Sequence, residues 1–292
     1  MTEKVVALGN FDGMHRGHLA VLDKALEAAE TGLSPFVLLF SQHSEKALRG
    51  FAPPMLMTHD ERRSFIEKHG FGILEIDFNR IKDMSPEEFI DKILVGEMNA
   101  RVVVSGYNYR FGKNAAGNAE TLKKLCAERG IDCRTVGEVN INGKTVSSTY
   151  IRRLIENGEI EKANALLAQR FGFAAEVIHG DARGRDWGFP TINQLLPDGF
   201  VMPKFGVYAS EVTVGGITYK GITNIGKRPT VGTETVLSET NILDFSEDIY
   251  GRTVDIRLLR FIRPEQKFSS FSELKEQIKT DVSQVKGSDG NV

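Results

Sequence analysis

The chain has 292 residues, 41% of them hydrophobic and 26% charged, with a formal net charge of −2. That balance leaves no broad basic field to recruit nucleic acid or an anionic membrane, so any phosphate binding has to be local. No run approaches the ~20 apolar residues of a membrane span and the start lacks a signal-peptide apolar core, which predicts a cytoplasmic protein; at roughly 150 residues per domain the length predicts two domains.

Residues 4–8 predict a strand that runs into Gly9-Asn10-Phe11-Asp12-Gly13-Met14-His15-Arg16-Gly17-His18 and then a helix, with Leu19, Leu22, Leu26 and Ala29 at helical spacing up to Gly32. This pattern suits a polyphosphate. Gly9, Gly13 and Gly17, with Phe11 between them, let the backbone come close, the helix start offers unpaired N–H groups, and His15 and His18 can donate to phosphoryl oxygens. The competing reading of the two histidines is a structural or zinc-binding pair. A Walker loop, Gly-x-x-x-x-Gly-Lys-Ser/Thr, occurs nowhere, which disfavours a P-loop kinase. The His-x-Gly-His tetrapeptide after a strand instead resembles the signature of adenylyl- and cytidylyl-transferases.

Further along, residues 36–40 predict a buried strand, Thr58 with Glu61 a capping box for a helix ending at Gly70, and Ser85-Pro86-Glu87-Glu88 the start of a helix ending near Gly96. Residues 102–104 predict another buried strand, and Asn118 a cap for a helix through Cys126 to Gly130. Alternating strands and helices predict a Rossmann-like α/β domain. Cys126 and Cys133 read as free thiols. Two clusters extend the nucleotide site. Gly106-Tyr107-Asn108-Tyr109-Arg110-Phe111-Gly112 follows a strand at the carboxyl edge of the sheet, where Arg110 can stack on a ring or pair with phosphate. Ser147-Ser148-Thr149-Tyr150-Ile151-Arg152 brings hydroxyls and a guanidinium to a helix start, either as an anion site or as a cap with a surface charge.

Near residue 170 helical periodicity gives way to short β-branched or aromatic runs at 206–209, 217–219, 236–245 and 253–261, the spacing of an antiparallel barrel or sandwich. Ser270 and Glu273 predict a capping box for a last helix with Leu274 and Ile278 on one face, and residues 286–292 a frayed tail. A basic, glycine-rich loop over 179–185 followed by Pro190-Thr191-Ile192-Asn193 offers a phosphate cradle and hard oxygen ligands of the kind Mg²⁺ accepts.

In this order, the three clusters of the first half are similar to the adenylyltransferase module of the bacterial bifunctional riboflavin kinase/FAD synthetases. Gly180-Asp181-Ala182-Arg183-Gly184-Arg185, Gly188-Phe189-Pro190-Thr191-Ile192-Asn193, Gly206-Val207-Tyr208, Ile225-Gly226-Lys227-Arg228-Pro229-Thr230 and Leu243-Asp244-Phe245 resemble its riboflavin kinase module. The resemblance implies an adenylyltransferase domain over 1–168, a mainly antiparallel β-barrel kinase domain with a C-terminal helix over 169–286, and a tail over 287–292. It implies riboflavin plus ATP giving FMN, then FMN plus ATP giving FAD and pyrophosphate, with Mg²⁺ as cofactor. By the same resemblance His15 and His18 bind ATP phosphates, Asn108 places metal and phosphates, and Ser148 and Arg152 stabilise the leaving pyrophosphate. Thr191 and Asn193 hold ATP with Mg²⁺, and Glu239 is the catalytic base. One active module, or a flavin-binding regulator without turnover, are the rival readings.

Three positions depart from the family pattern. Ser41-Gln42-His43-Ser44 stands where a Pro-His-Pro element is usual, Asn241 where His is common, and Gln194 where an apolar residue is usual. Altered rate or affinity is the expected consequence.

Overall fold

The computed structural model describes residues 2–41, 52–180, 189–230 and 233–287. The chain forms two compact units, Met1–Tyr150 and Ile151–Val292.

The first unit is built on a parallel sheet of five strands, β1 (Lys4–Leu8), β2 (Ser34–Phe40), β3 (Gly72–Ile76), β4 (Ala100–Gly106) and β5 (Asp132–Val136), in the order β3-β2-β1-β4-β5. Central strands covered on both faces have to be apolar throughout, and Val5, Val6 and Ala7 of β1 are fully buried. Helices α1 (Arg16–Ala29), α2 (His59–Lys68), α3 (Pro86–Phe89) and α4 (Ala119–Ala127) follow or connect the strands. The boxes predicted at Thr58–Glu61 and Ser85–Glu88 are both complete. Helix α3 does not stay α: from Ile90 to Glu97 it continues as a π-helix. Strand β3 went unread because only five residues, flanked by Phe71 and Asp77, signal it. On one side of the sheet Val6, Leu38, Phe89, Ile93, Val103, Phe111 and Cys126 form the core, with Cys133 packed against it; both cysteines are free thiols. A two-residue-strand hairpin, β6 (Asn140–Ile141) with β7 (Lys144–Thr145), precedes helix α5 (Ser148–Glu156), which crosses the division between the units.

After α6 (Ile160–Leu166), the second unit is an antiparallel sheet of six strands: β8 (Gly172–Glu176), β9 (Ile192–Leu195), β10 (Gly206–Val214), β11 (Ile217–Thr230), β12 (Thr233–Ile242) and β13 (Thr253–Arg263). Their order is β8-β13-β10-β11-β12-β9. The edges meet: Ile178 N donates to Asn193 O at 2.8 Å, and Gln194 Nε2 donates to Ala175 O at 2.6 Å and Val254 O at 2.9 Å. The sheet is therefore a near-closed barrel rather than a sandwich, which leaves little unpaired edge. Gln194, unusual in sequence, spans that closure from inside the barrel. The run 217–219 is the beginning of a fourteen-residue strand, and the strand predicted over 236–245 ends at Ile242, before Asp244 takes a left-handed φ of 57°.

Helix α7 (Phe271–Lys286) packs Val282 and Val285 onto Val207, Ala209, Ile222 and Leu243 of the barrel wall. The buried Asp281 carboxylate takes both Nε and Nη2 of Arg263, anchoring the helix to β13. Its predicted capping box is half formed: Glu273 N donates to Ser270 Oγ at 3.2 Å, but the Glu273 carboxylate accepts from Ser269 N at 2.9 Å instead of the cap residue.

Candidate active sites

In the parallel sheet the chain moves outward in opposite directions from the adjacent strands β1 and β4, so the crevice beyond their carboxyl ends is a topological switch point, the usual ligand site of open α/β sheets. The segments following both strands are the ones singled out by sequence. After β1 the backbone is left-handed at Phe11 (φ 51°), Gly13 (φ 79°) and Met14 (φ 42°). Such φ values in bulky residues need strong anchoring, and Phe11 and Met14 are both fully buried. A Cβ on Gly9 would stand 3.2 Å from the Phe11 ring, so glycine allows the loop to fold over its own aromatic anchor.

His15 is the N-cap of α1. Its Nδ1 accepts from His18 N at 3.2 Å, which puts the ring proton on Nε2 and makes that edge a donor. The two imidazoles stack with centroids 3.6 Å apart, and a Cβ on Gly17 would approach the His15 ring to 3.1 Å. His18 Nδ1 is buried with no hydrogen-bond partner. Burial first, then His15 and Arg62, hold the His18 pKa well below the ordinary value, so its ring is neutral.

Other segments converge on this loop. The Asp12 carboxylate accepts from Leu56 N at 3.0 Å, and the Asp12 carbonyl accepts from Ser148 Oγ at 3.1 Å across 136 residues of chain. Ser147 Oγ accepts from Tyr150 N at 3.3 Å and so caps the turn, leaving Ser148 for the loop. Arg152, one turn beyond Ser148, is only 9% exposed and is not a solvated surface charge. Beyond β4, Tyr109 and Phe111 turn into the core and stack on each other, whereas Asn108 and Arg110 between and beside them are exposed. Asn108 Oδ1 lies 3.3 Å from where a Cβ on Gly106 would stand. Sequence reading missed Arg62 of α2, whose Nη1 donates to Asn10 O at 2.9 Å; a basic residue on a helix carries no signal of such a contact. His43, with Gln42 and Ser44, lies outside the described residues.

In the barrel, register sets the second site. Glu239 of β12 stands opposite Asn193 of β9 on one side and Asn224 of β11 on the other, so the three side chains share one face in a row. Glu239 is exposed and Asn193 is 5% exposed, with Oδ1 buried and without a hydrogen-bond partner. A Cβ on Gly180 would fall 2.3 Å from Asn193 Nδ2, so the absence of a side chain there leaves room for the amide. Asn241, next on the Glu239 face, donates from Nδ2 to Pro190 O at 2.7 Å and tethers the loop that carries half-buried Thr191. His179 is stacked on Tyr250, centroids 3.9 Å apart, rather than left loose for a ligand. Arg183, Gly184 and Arg185 lie outside the described residues.

The orphaned Asn193 oxygen, with Gly180 packed side-chain-free against the same amide, fits a hard cation held by few protein oxygens. Among the described residues there is no group of three or more His, Cys, Asp or Glu suited to a metal, and no helix long and apolar enough to cross a membrane.

Residues 1–150 match the family model described as FAD synthetase, and residues 167–288 the one described as riboflavin kinase. The chain is 38% identical over 288 residues to the bifunctional riboflavin kinase/FMN adenylyltransferase of Bacillus subtilis, covering 96% of this chain and 90% of that protein. It is 35% identical over 282 residues to the protein of the same name from Escherichia coli K12, covering 95% and 90%. A crystal structure described as a macrolide-efflux protein from Streptococcus pneumoniae superposes with a TM-score of 0.90 at 33% identity, covering 98% of this chain and 94% of that one.

Proposed function

The chain belongs to the family of bifunctional riboflavin kinase/FMN adenylyltransferases, and from that premise we propose how its own residues divide the two reactions that make FMN and then FAD. The observation that carries the division is that the two central motifs lie in different compact units, each at a position suited to ligands: residues 9–18 at the switch point of the parallel sheet, and Glu239 in the Asn193–Glu239–Asn224 row of the barrel.

In the kinase reaction the terminal ribityl hydroxyl of riboflavin attacks the γ-phosphorus of ATP, its proton passes to a Glu239 carboxylate oxygen, and ADP leaves. Thr191 and Asn193 would supply oxygen ligands for Mg²⁺, which when bound neutralises phosphate charge, and Gly180, Arg183, Gly184, Arg185 and Pro190 are the residues assigned to the phosphates of ATP.

In the adenylyl transfer a phosphate oxygen of FMN attacks the α-phosphorus of ATP and the bond to pyrophosphate breaks. The nucleophile is already ionised, so the site needs donors and alignment rather than a strong base. His15 offers Nε2–H and His18 a neutral ring, the residues 9–17 loop offers backbone N–H groups, and Ser147, Ser148 and Arg152 are assigned to the leaving pyrophosphate. Asn108 and Arg110 serve phosphates and metal from the exposed end of β4. The hydrogen bond from Ser148 to the Asp12 carbonyl supports assigning the start of α5 to this module; by the family resemblance we place the module boundaries at 1–168 and 169–286, with 287–292 as a tail. A requirement for ATP in both steps fits a cytoplasmic location.

Chromatography of products from the purified chain with riboflavin, ATP and Mg²⁺, repeated with FMN, tests the whole reading. FAD from both, with FMN as an intermediate from riboflavin, is expected. FMN as the sole product would leave the first module silent, and FAD from FMN alone would indict the barrel site.

A further inference from the structure

Of the cations on helix α2 that the mechanism above does not use, Arg62 is the one that contacts the nucleotide loop. Arg62 reaches out of the helix to two other segments at once: Nη1 donates to Asn10 O in the nucleotide loop at 2.9 Å, and Nη2 to Phe40 O, the last residue of β2, at 3.4 Å. Its third kind of donor, Nε, is buried with no hydrogen-bond partner. The guanidinium is a rigid planar fork, so contacts through both ends hold their two targets at a fixed separation in a way that a flexible ammonium does not. The helix that carries it is itself fixed at its start, where Thr58 and Glu61 cap each other reciprocally and Arg62 N donates to Thr58 O at 3.0 Å.

The charge environment is equally specific. Burial disfavours the Arg62 cation, and the carboxylates that favour it are Asp12, from the nucleotide loop, and Glu75 of β3. In the opposite direction the Arg62 charge acts on His18, adding to burial and to His15. It acts on His59 in the first turn of α2 in the same sense. Arg62 thus meets the loop mechanically at Asn10 and electrostatically at His18.

We propose that Arg62 is a positioning residue for adenylyl transfer, locking the nucleotide loop against the end of β2 and so fixing where His18 stands relative to the phosphates of ATP. The inference rests on the reading of His15 and His18 as adenylyl-transfer residues. It also gives His18 a second reason to remain neutral: a fixed positive neighbour opposes its protonation.

The test uses the full chain and the variants Arg62→Met, Arg62→Lys and His18→Ala, each assayed for both FMN and FAD formation across the neutral pH range. Removing a hydrogen-bonded cation that aligns a site is expected to lower kcat for FAD formation by about 10- to 100-fold with a smaller change in KM for ATP, while riboflavin phosphorylation stays at the wild-type rate. Arg62→Lys recovers part of the loss. The acid limb of kcat/KM for FAD formation moves to higher pH in Arg62→Met, because His18 has lost a positive neighbour; a purely structural arginine would leave that limb in place. An unchanged FAD rate in Arg62→Met overturns the inference, as does a fall with no shift of the acid limb and no recovery by lysine. If Arg62→Met also loses kinase activity through misfolding, the uncharged Arg62→Gln carries the same pH comparison, with the charge-retaining Arg62→Lys as its unshifted control. His18→Ala separates the two levels: loss of FAD there with none in Arg62→Met sinks only the role of Arg62, whereas full FAD formation in His18→Ala sinks the site reading beneath it.

Discussion

The imidazoles of His15 and His18 lie face to face, 3.6 Å between centroids and 15° from parallel. Residue 17 between them bears directly on the stack, since a Cβ there would stand 3.1 Å from His15 Cε1. Gly17→Ala should therefore push the His15 ring by a few tenths of an ångström and lower FAD formation by roughly tenfold through misalignment, with FMN formation untouched. Parallel rate measurements of the two reactions on one preparation check this. Equal rates of FAD formation in variant and wild type would mean the ring position is not set by this packing.

The buried, neutral His18 also makes stability depend on pH. Its folded pKa lies below the unfolded value of 6.5, chiefly through burial, then through His15 and Arg62, so between the two values the unfolded chain binds more protons than the folded one. The contribution is fully present above pH 6.5 and is lost as pH falls from there through the folded value. His59, also lowered by burial and by Arg62, acts in the same direction. The thermal unfolding midpoint should fall on acidification through this range, and less steeply in His18→Gln; superimposable pH dependences would rule out the linkage.

Glu239 and Asn193 are register partners, yet the mechanism proposed above assigns them different tasks, proton acceptance to one and a cation to the other. Glu239→Gln keeps shape and hydrogen bonding while removing the acceptor, so FMN formation should drop by about 10²- to 10⁴-fold, the usual contribution of a positioned base, with conversion of FMN to FAD retained. Loss of both activities together would refute independent sites.

Asn241 tests whether a departure from the family pattern is functional. Its amide holds Pro190 O at 2.7 Å, immediately before Thr191. Asn241→Ala removes one hydrogen bond, worth about 0.5–1.5 kcal/mol, and should raise the ATP and Mg²⁺ concentrations needed for FMN formation several-fold without altering FAD formation. A kcat effect with unchanged dependence on ATP and Mg²⁺ would locate the role of Asn241 at Glu239 instead.

Much of this architecture was legible because its signals are local. The boxes at Thr58–Glu61 and Ser85–Glu88 and the cap at Asn118 each act within four residues, and all three formed as read. The last box failed in part because Ser269, one residue earlier, competes successfully for the Glu273 carboxylate. Strand β9 was hidden for a different reason: Ile192–Leu195 pairs with β12 more than forty residues away and has no apolar alternation to announce it. The motif residues of the first site stood out in the sequence, but their arrangement depends on tertiary contacts. Ser148 reaches Asp12 across 136 residues and Arg62 reaches Asn10 across 52, and neither spacing has a sequence signature. Gln194 illustrates the converse, an oddity of sequence whose explanation is barrel closure rather than catalysis.

His15 occupies a position where Ser, Asp or Asn would cap α1 at least as well as an imidazole. Selection for a stable helix start alone would therefore not keep histidine there. On the role proposed for His15, a descendant of this chain released from making FAD should exchange it for one of those smaller capping residues while α1 stays intact, so the identity of this one residue would mark the loss of the reaction well before the fold itself decayed.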